Sequence, residues 1–335
     1  MNIVNSLKLK IFDIKAHALR GNDFYKSIVD YRASILPSHR HRIKNNDDFS
    51  CPLCKSSNGN IFLEWIEGYT LLECQSCRAV SPNIIFSDES THIDSVYNVD
   101  EYRLKFMRET HQQFEYRKSN FGQERYRYTI ERLDLPSSAK VLDLGCGAGY
   151  YISVLAENNI SYKGLEVAKH FVDYCKTYHH LNVENSALED ESNSQYDLIT
   201  MYDVLEHLAD PVSVFKTLND KLKPGGYCVA YTPNIRSVGY ELMEAKQNTM
   251  LPFEHLCFFD KKSLAYLASK TGFEVQLVET FGLDVMDYLL MKEYEDGINY
   301  TDSLSDMTSL LQSILDKFNI SNHFRITFKK ARPTL

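Results

Sequence analysis

The phrase Lys140-Val-Leu-Asp-Leu-Gly-Cys-Gly-Ala-Gly-Tyr150 constrains this chain more than any other. An apolar, β-favouring run, Val141 to Leu144, meets three glycines at alternate positions, and the amphipathic pattern of a helix begins at Tyr150. A buried parallel strand, a tight turn and a helix follow from that order. Glycine in such a turn permits positive φ and leaves no Cβ between backbone and ligand, while amides at the helix start face polar ligand atoms. The dinucleotide fingerprint G-x-G-x-x-G would require glycine at position 150, where this chain has Tyr150, so the turn argues against a nicotinamide dinucleotide.

The segments after the turn keep alternating strand and helix. Ser161 to Leu165 reads as a strand ending in Glu166, where an acid can accept hydrogen bonds from both hydroxyls of a ribose. Tyr196 to Met201 is another strand, followed by Tyr202-Asp-Val-Leu-Glu-His-Leu208 and a helix opened by Asp210-Pro211. That helix stops at Lys223-Pro-Gly-Gly226, and Tyr227 to Tyr231 is the next strand. Downstream, Asp260 caps a helix from Lys261 to Ser269, Gly272 ends it, and Phe273 to Val278 forms a sixth strand. Ser303 to Phe318 carries Leu304, Met307, Leu311, Ile314 and Phe318 on one helical face, and Phe324, Ile326 and Phe328 alternate as a last strand.

These motifs, in this order, resemble the class I S-adenosylmethionine-dependent methyltransferases. The matching residues are Asp143-Leu-Gly-Cys-Gly-Ala-Gly149, Glu166, Asp203-Val-Leu-Glu-His-Leu208, Leu222-Lys-Pro-Gly-Gly226, Pro252-Phe-Glu-His-Leu256 and Lys270-Thr-Gly-Phe273. The resemblance implies an α/β fold, a Rossmann-like seven-stranded sheet, with S-adenosyl-L-methionine as cofactor. It also implies a cofactor set of Asp143, Gly145, Gly147, Gly149, Glu166, Leu188, Glu189 and Asp203. The glycines would line the methionine moiety, Glu166 would hold the ribose, and Leu188 with Glu189 would border the adenine. In that family the last strand inserts beside the sixth.

A second signal lies upstream: Cys51-Pro-Leu-Cys54, nineteen intervening residues, then Cys74-Gln-Ser-Cys77. Two C-x-x-C pairs at this separation read as a four-thiolate zinc site, with Ile61 to Leu72 supplying the strands of a ribbon. Four thiolates fill a tetrahedral Zn2+, leaving no open position for catalysis, so the metal is expected to be structural. Two disulfides are the competing reading. The expected organisation is a basic helical segment over 1–48, a zinc ribbon over 49–85, a helical cap and linker over 86–135, and the methyltransferase domain over 136–335.

Composition sets the remaining bounds. The net charge of -8 argues against nucleic acid as the principal partner, although residues 1–50 hold nine Lys or Arg against five Asp. Ile3, Val4, Leu7, Ile11, Ile14 and Ala18 lie near one helical face that packs on this protein or on a second copy, which leaves an oligomer open. Charges interrupt every apolar stretch near the N-terminus, so neither a signal segment nor a membrane span is expected, and the reading is cytoplasmic. Aromatic residues crowd Ser95 to Leu133, with Tyr97 and Tyr102 as candidate substrate contacts, and the acidic, aromatic insertion from Phe281 to Asp302 is expected to border the acceptor site.

A sulfonium methyl is electrophilic without a metal, so the protein must align an acceptor for in-line attack and exclude water. A histidine of ordinary pKa near 6.5 would suit acceptor deprotonation. His255 is the expected base and Glu254 its orienter, with His207 of the pair Glu206-His207 as the other candidate. Glu254-His255 is similar to the Glu-His element of bacterial deoxysugar C-methyltransferases, which also carry an N-terminal zinc module. The span from Cys51 to Lys330 is similar to a bacterial group in which ribbon and methyltransferase are fused and which is associated with surface-polysaccharide biosynthesis. The resemblance thus implies a small polar acceptor: a sugar, a nucleotide sugar or a glycan intermediate. An RNA methyltransferase that docks its substrate through the ribbon, and a cofactor-binding scaffold without turnover, are the alternatives.

Overall fold

The computed structural model describes residues 9, 12, 19–21, 23–65, 69–85, 110–251 and 253–331. The N-terminal apolar face at residues 3, 4, 7, 11, 14 and 18, the aromatic candidates Tyr97 and Tyr102, and Pro252 lie outside the described residues. Contacts divide the chain into two compact units. One comprises Met1–Ile85, Thr232–Ser263 and Val278–Arg325; the other Phe86–Tyr231, Leu264–Leu277 and Ile326–Leu335. The expected ribbon, 49–85, therefore falls within a larger unit, and the expected block 136–335 contributes residues to both.

The first unit holds a three-stranded sheet of β1 (Gly59–Glu64), β2 (Thr70–Cys74) and β3 (Val80–Pro82), in that order. Both pairings are antiparallel, with Gly59 opposite Cys74 and Glu73 opposite Val80. Its inward residues, Leu71, Leu72 and Val80, are buried together with Leu53, Trp65 and Tyr69. A bridge from Val80 to Phe258 extends the sheet: each amide donates to the other's carbonyl, at 3.0 and 2.7 Å. The helix Phe24–His39 belongs to this unit, and its Arg32 guanidinium sits 5.0 Å over the Trp65 ring. The insertion is not a loop. It forms helices Asp284–Asp296 and Tyr300–Ser303, and buries Asp284 and Asp287.

In the second unit the motif strands become β4 (Lys140–Leu144), β5 (Ser161–Leu165), β6 (Val183–Glu184), β7 (Tyr196–Tyr202) and β8 (Leu222–Pro233), followed by β9 (Phe273–Thr280) and β10 (His323–Lys330). The seven-stranded order is β6-β5-β4-β7-β8-β10-β9, so the last strand lies beside the sixth as expected. β4 pairs parallel with both β5 and β7, which sets Asp143 opposite Gly164 and Thr200. Asp210 caps the helix Pro211–Lys221 through the Ser213 amide at 3.1 Å. Phe215 meets Phe328 and Phe273 edge-on at 5.2 and 5.7 Å, fixing that helix against the sheet.

Two local expectations are corrected. Strand β8 begins at Leu222 rather than Tyr227, because Leu222 already pairs with Tyr196. The Pro-Gly-Gly run that reads as a stop is absorbed as an irregularity in the ladder, with Gly225 at φ 79°. The stripe on the late helix, here Ser305–Lys317, does not enter the core: Leu304, Met307, Leu311 and Phe318 are 37%, 50%, 39% and 60% exposed. No described helix is long and apolar enough to cross a membrane.

Candidate functional site

At the end of β4 the chain reverses through Gly145, Gly147 and Gly149, at φ 69°, 52° and 85°, into the helix Tyr150–Glu157. All three lie in the left-handed region, where a side chain costs energy. Their surroundings separate their roles. A Cβ on Gly145 would stand 2.4 Å from Val204 Cγ2, and one on Gly149 would stand 2.6 Å from Leu181 Cδ1. Those two glycines permit close packing of the turn. A Cβ on Gly147 would meet nothing within 4 Å, so its face of the turn is the open one.

Glu166 reaches back from the end of β5 to this turn. Its Oε2 accepts the Gly147 amide and its Oε1 the Ala168 amide, each at 2.8 Å. Burial raises its pKa, and those backbone bonds oppose the rise. Asp143 is buried on β4 and accepts the Thr200 hydroxyl at 2.6 Å, as their register dictates. Burial pushes its carboxyl up to about 7, against the opposing effects of Thr200 and the nearby Arg125. Arg125 comes from a continuous helical run over 110–131 that contains π turns at Lys118–Gly122 and Arg127–Glu131. Its guanidinium lies 3.9 Å over the Tyr202 ring. Sequence reading missed this residue. The available signal was a basic side chain within the aromatic run just upstream of the glycine turn.

The other cofactor candidates are distributed around the carboxyl ends of the strands. Asp203 directly follows β7 with φ 58°, exposed, its amide donating to the Tyr231 carbonyl at 3.0 Å. Its neighbour Val204 is the side chain that closes on Gly145. A single helical turn, Leu205–His207, follows, with Glu206 buried and His207 half-buried. Leu188 and Glu189 lie in a separate turn, Leu188–Asp190; Leu188 is buried and Glu189 exposed.

In the first unit, Cys51, Cys54, Cys74 and Cys77 converge, their sulfurs all within 4.8 Å of one another. Cys51 Sγ lies 3.5 Å from Cys77 Sγ and Cys54 Sγ 3.4 Å from Cys74 Sγ. All four are free thiols, so the two-disulfide reading is not realised. Tetrahedral zinc with Zn–S bonds of about 2.3 Å separates its sulfurs by roughly 3.8 Å, which this donor set matches. Each pair forms a knuckle: the Lys55 amide donates to the Cys51 carbonyl and the Arg78 amide to the Cys74 carbonyl, both at 2.9 Å.

Glu254 and His255 occupy one tight turn of the same unit, both amides donating to the Leu251 carbonyl at 3.4 and 3.1 Å. Both side chains are buried. Burial pushes Glu254 up to about 7, with a hydrogen bond from Tyr31 opposing. Burial also pulls His255 down to about 3, against a backbone bond at Thr249. The expectation of an ordinary histidine pKa is thereby corrected. His255 stays neutral near pH 7 but is a weak base, and the group whose affinity for a proton matches neutral pH is Glu254.

Comparison with known proteins agrees with this architecture. Residues 116–278 match the family model described as a methyltransferase domain. A ubiquinone biosynthesis O-methyltransferase of Vibrio parahaemolyticus is 30% identical over 135 residues, covering 37% of this chain and 57% of the relative. One of the same description from Chromobacterium violaceum is 26% identical over 185 residues, covering 51% of this chain and 80% of the relative. The chain thus spans little more than half the length of the Vibrio relatives it matches, 57% and 53% for two of them. A solved structure titled a SAM dependent methyltransferase, from Archaeoglobus fulgidus, is 20% identical with a TM-score of 0.45, covering 72% of this chain and all of that one.

Proposed function

We propose, from the premise that residues 116–278 are a methyltransferase domain, that this chain transfers a methyl group from S-adenosylmethionine to a hydroxyl of a small polar acceptor: a sugar, nucleotide sugar or glycan intermediate. The observation that carries the reading is the glycine turn tied to Glu166, with the open face of Gly147 beside that carboxylate. A bound sulfonium supplies the electrophilic methyl group. The chain's own residues supply position and charge. Gly147 permits close approach to the backbone, Glu166 accepts the ribose hydroxyls, and Arg125, half-buried and already facing Asp143, pairs with the carboxylate of the methionine moiety. The same scheme gives Asp203 a polar contact and Leu188 with Glu189 the adenine border.

Oxygen as the accepting atom is supported by the printed names of the relatives, which are O-methyltransferases. The sugar class is supported by the likeness of the Glu254-His255 element and the ribbon to sugar-modifying enzymes. Removing an acceptor proton falls to Glu254, His255 or His207, and Glu254 is best matched to neutral pH. The cysteine quartet holds structural zinc and takes no part in the transfer.

Calorimetry of the zinc-loaded chain with S-adenosylmethionine and S-adenosylhomocysteine tests the reading. Micromolar binding of both is expected, followed by labelled-methyl transfer to a nucleotide sugar. Absence of binding in folded, zinc-loaded protein refutes it.

A further inference from the structure

The first unit buries polar atoms that the fold does not satisfy. Trp65 Nε1, Gln247 Nε2, Asn248 Oδ1 and Asp287 Oδ1 are shielded from solvent and have no hydrogen-bond partner among the described residues. Asn248 and Asp287 are 5% and 2% exposed. The nearest cation to Asp287 Oδ1 is Arg20, at 3.8 Å, too far for a hydrogen bond. Each such atom costs roughly 1–3 kcal/mol while it lacks a partner, and native interiors hold few of them.

These atoms form a connected group. Arg32 lies over the Trp65 ring at 5.0 Å and donates to the Gln247 carbonyl at 2.5 Å. Asn248 follows in the chain and hydrogen-bonds Asp287, whose Oδ2 accepts the Asn322 amide group at 3.2 Å. Trp65 also begins an aromatic stack, 5.3 Å from Tyr69, which lies 6.1 Å from Phe253. Two donors and two acceptors beside flat aromatic rings suit one chemical class. A hydroxyl both donates and accepts, and a sugar ring presents adjacent hydroxyls along with an apolar C–H face that stacks on an aromatic ring. A bare cation would meet Arg20 and Arg32, and a bare anion would meet Asp287.

We propose that Trp65, Gln247, Asn248 and Asp287 form a binding site for the hydroxyls of a sugar ring. The inference rests on the acceptor class argued above and assigns its recognition to residues that no motif marks. The insertion helix Asp284–Asp296 supplies the carboxylate.

The test is calorimetric titration of the zinc-loaded full chain, saturated with S-adenosylhomocysteine, with UDP-glucose, UDP-N-acetylglucosamine and dTDP-glucose, and with UDP and dTDP as controls. Trp65→Phe removes one donor and keeps a ring; Asn248→Ala removes one acceptor. At least one nucleotide sugar is expected to bind more tightly than its parent nucleotide, and each variant to weaken it about 5- to 10-fold, one hydrogen bond's worth. S-adenosylhomocysteine affinity should be unchanged. Wild-type affinity for the sugar in both variants, with only the melting temperature lowered, identifies the atoms as sites for structural water and overturns the proposal. Failure of every nucleotide sugar to exceed its parent nucleotide, while S-adenosylhomocysteine binds, overturns it and leaves the cofactor reading standing.

Discussion

The zinc knuckles and the glycine turn use the same unusual backbone conformation for opposite reasons. In the knuckles, Lys55 and Arg78 hold φ of 61° and 66° despite carrying side chains; in the turn, φ of 69°, 52° and 85° fall on Gly145, Gly147 and Gly149. Lys55 projects into solvent, Arg78 is half-buried, and the ligand atoms of the knuckles are the thiols on the other side of the chain. A Cβ is harmless there. In the turn, Val204 and Leu181 press on the backbone and the open face is the one a ligand must approach, so a Cβ is excluded on both counts. A site that binds through side chains can accept backbone strain, whereas one that binds through the backbone cannot.

The largest expected effect follows from that difference. The ribbon has only a small core, and metal binding supplies its folding free energy, on the order of 10 kcal/mol or more. Chelation, or Cys54→Ser, should unfold it. Trp65, the single tryptophan of the chain, is buried at the end of β1 and reports this directly. Its emission should shift to the red and zinc should fall below one equivalent; unchanged emission after complete zinc removal would show that the fold does not depend on the metal.

Next in size are the glycines. Gly145→Ala should lower stability by about 2–4 kcal/mol, combining left-handed strain with a clash at Val204. Gly147→Ala has the strain without the clash and should cost about 1 kcal/mol. Both should weaken S-adenosylhomocysteine at least tenfold, Gly147→Ala through the ligand rather than the fold. Normal binding by a stable Gly147→Ala variant would mean that the open face is not where the ligand approaches.

Adjacent residues of one turn, Glu254 and His255, extend the comparison to pH. Glu254 is raised from 4.5 to about 7, so between those values the folded chain keeps a proton that the unfolded chain has released. Stability is therefore lost as pH rises through 7. Glu254→Gln should match wild type at pH 5 and exceed it by about 2–3 kcal/mol at pH 8, with loss of methyl transfer if this carboxylate is the base. His255 has the opposite sign: lowered from 6.5 to about 3, it is neutral when the unfolded chain is protonated, so stability is lost as pH falls from 6.5 towards 3. His255→Gln should flatten that acid limb. Denaturant midpoints at pH 5 and 8, with a series down to pH 4, separate the two.

What the sequence disclosed was local. The order of strands β4, β5 and β7, the caps at Asp210 and Asp260 and the four-cysteine cluster depend on neighbours within a few residues or on one repeated spacing. The less legible features depend on burial, which spacing does not encode. His255 looked like an ordinary base until its burial lowered it, Glu254 became the better match by the same cause, and Arg125 acquired meaning only when the helical run 110–131 set it beside Asp143. The stripe from Leu304 to Phe318 failed the other way, since helical periodicity shows that a face is apolar and not that anything covers it. Leu188 and Glu189, assigned by resemblance alone, are connected to the glycine turn by no contact found here.

The smallest expected effect returns to the knuckle. Lys55→Gly exchanges a left-handed residue for one that adopts φ of 61° without strain, at the price of greater freedom in the unfolded chain. It also removes the exposed bond from Lys55 Nζ to the Pro52 carbonyl, 3.0 Å long, which contributes little in water. The strain relieved exceeds the entropy added by less than about 1 kcal/mol, so zinc-loaded protein should be unchanged to slightly more stable. Thermal unfolding followed through Trp65 is sensitive enough to check the sign. A clear loss of stability, or of zinc affinity, would show that the lysine side chain supports the metal site; the two turns would then differ in residue choice but not in principle, because each would need its particular residue.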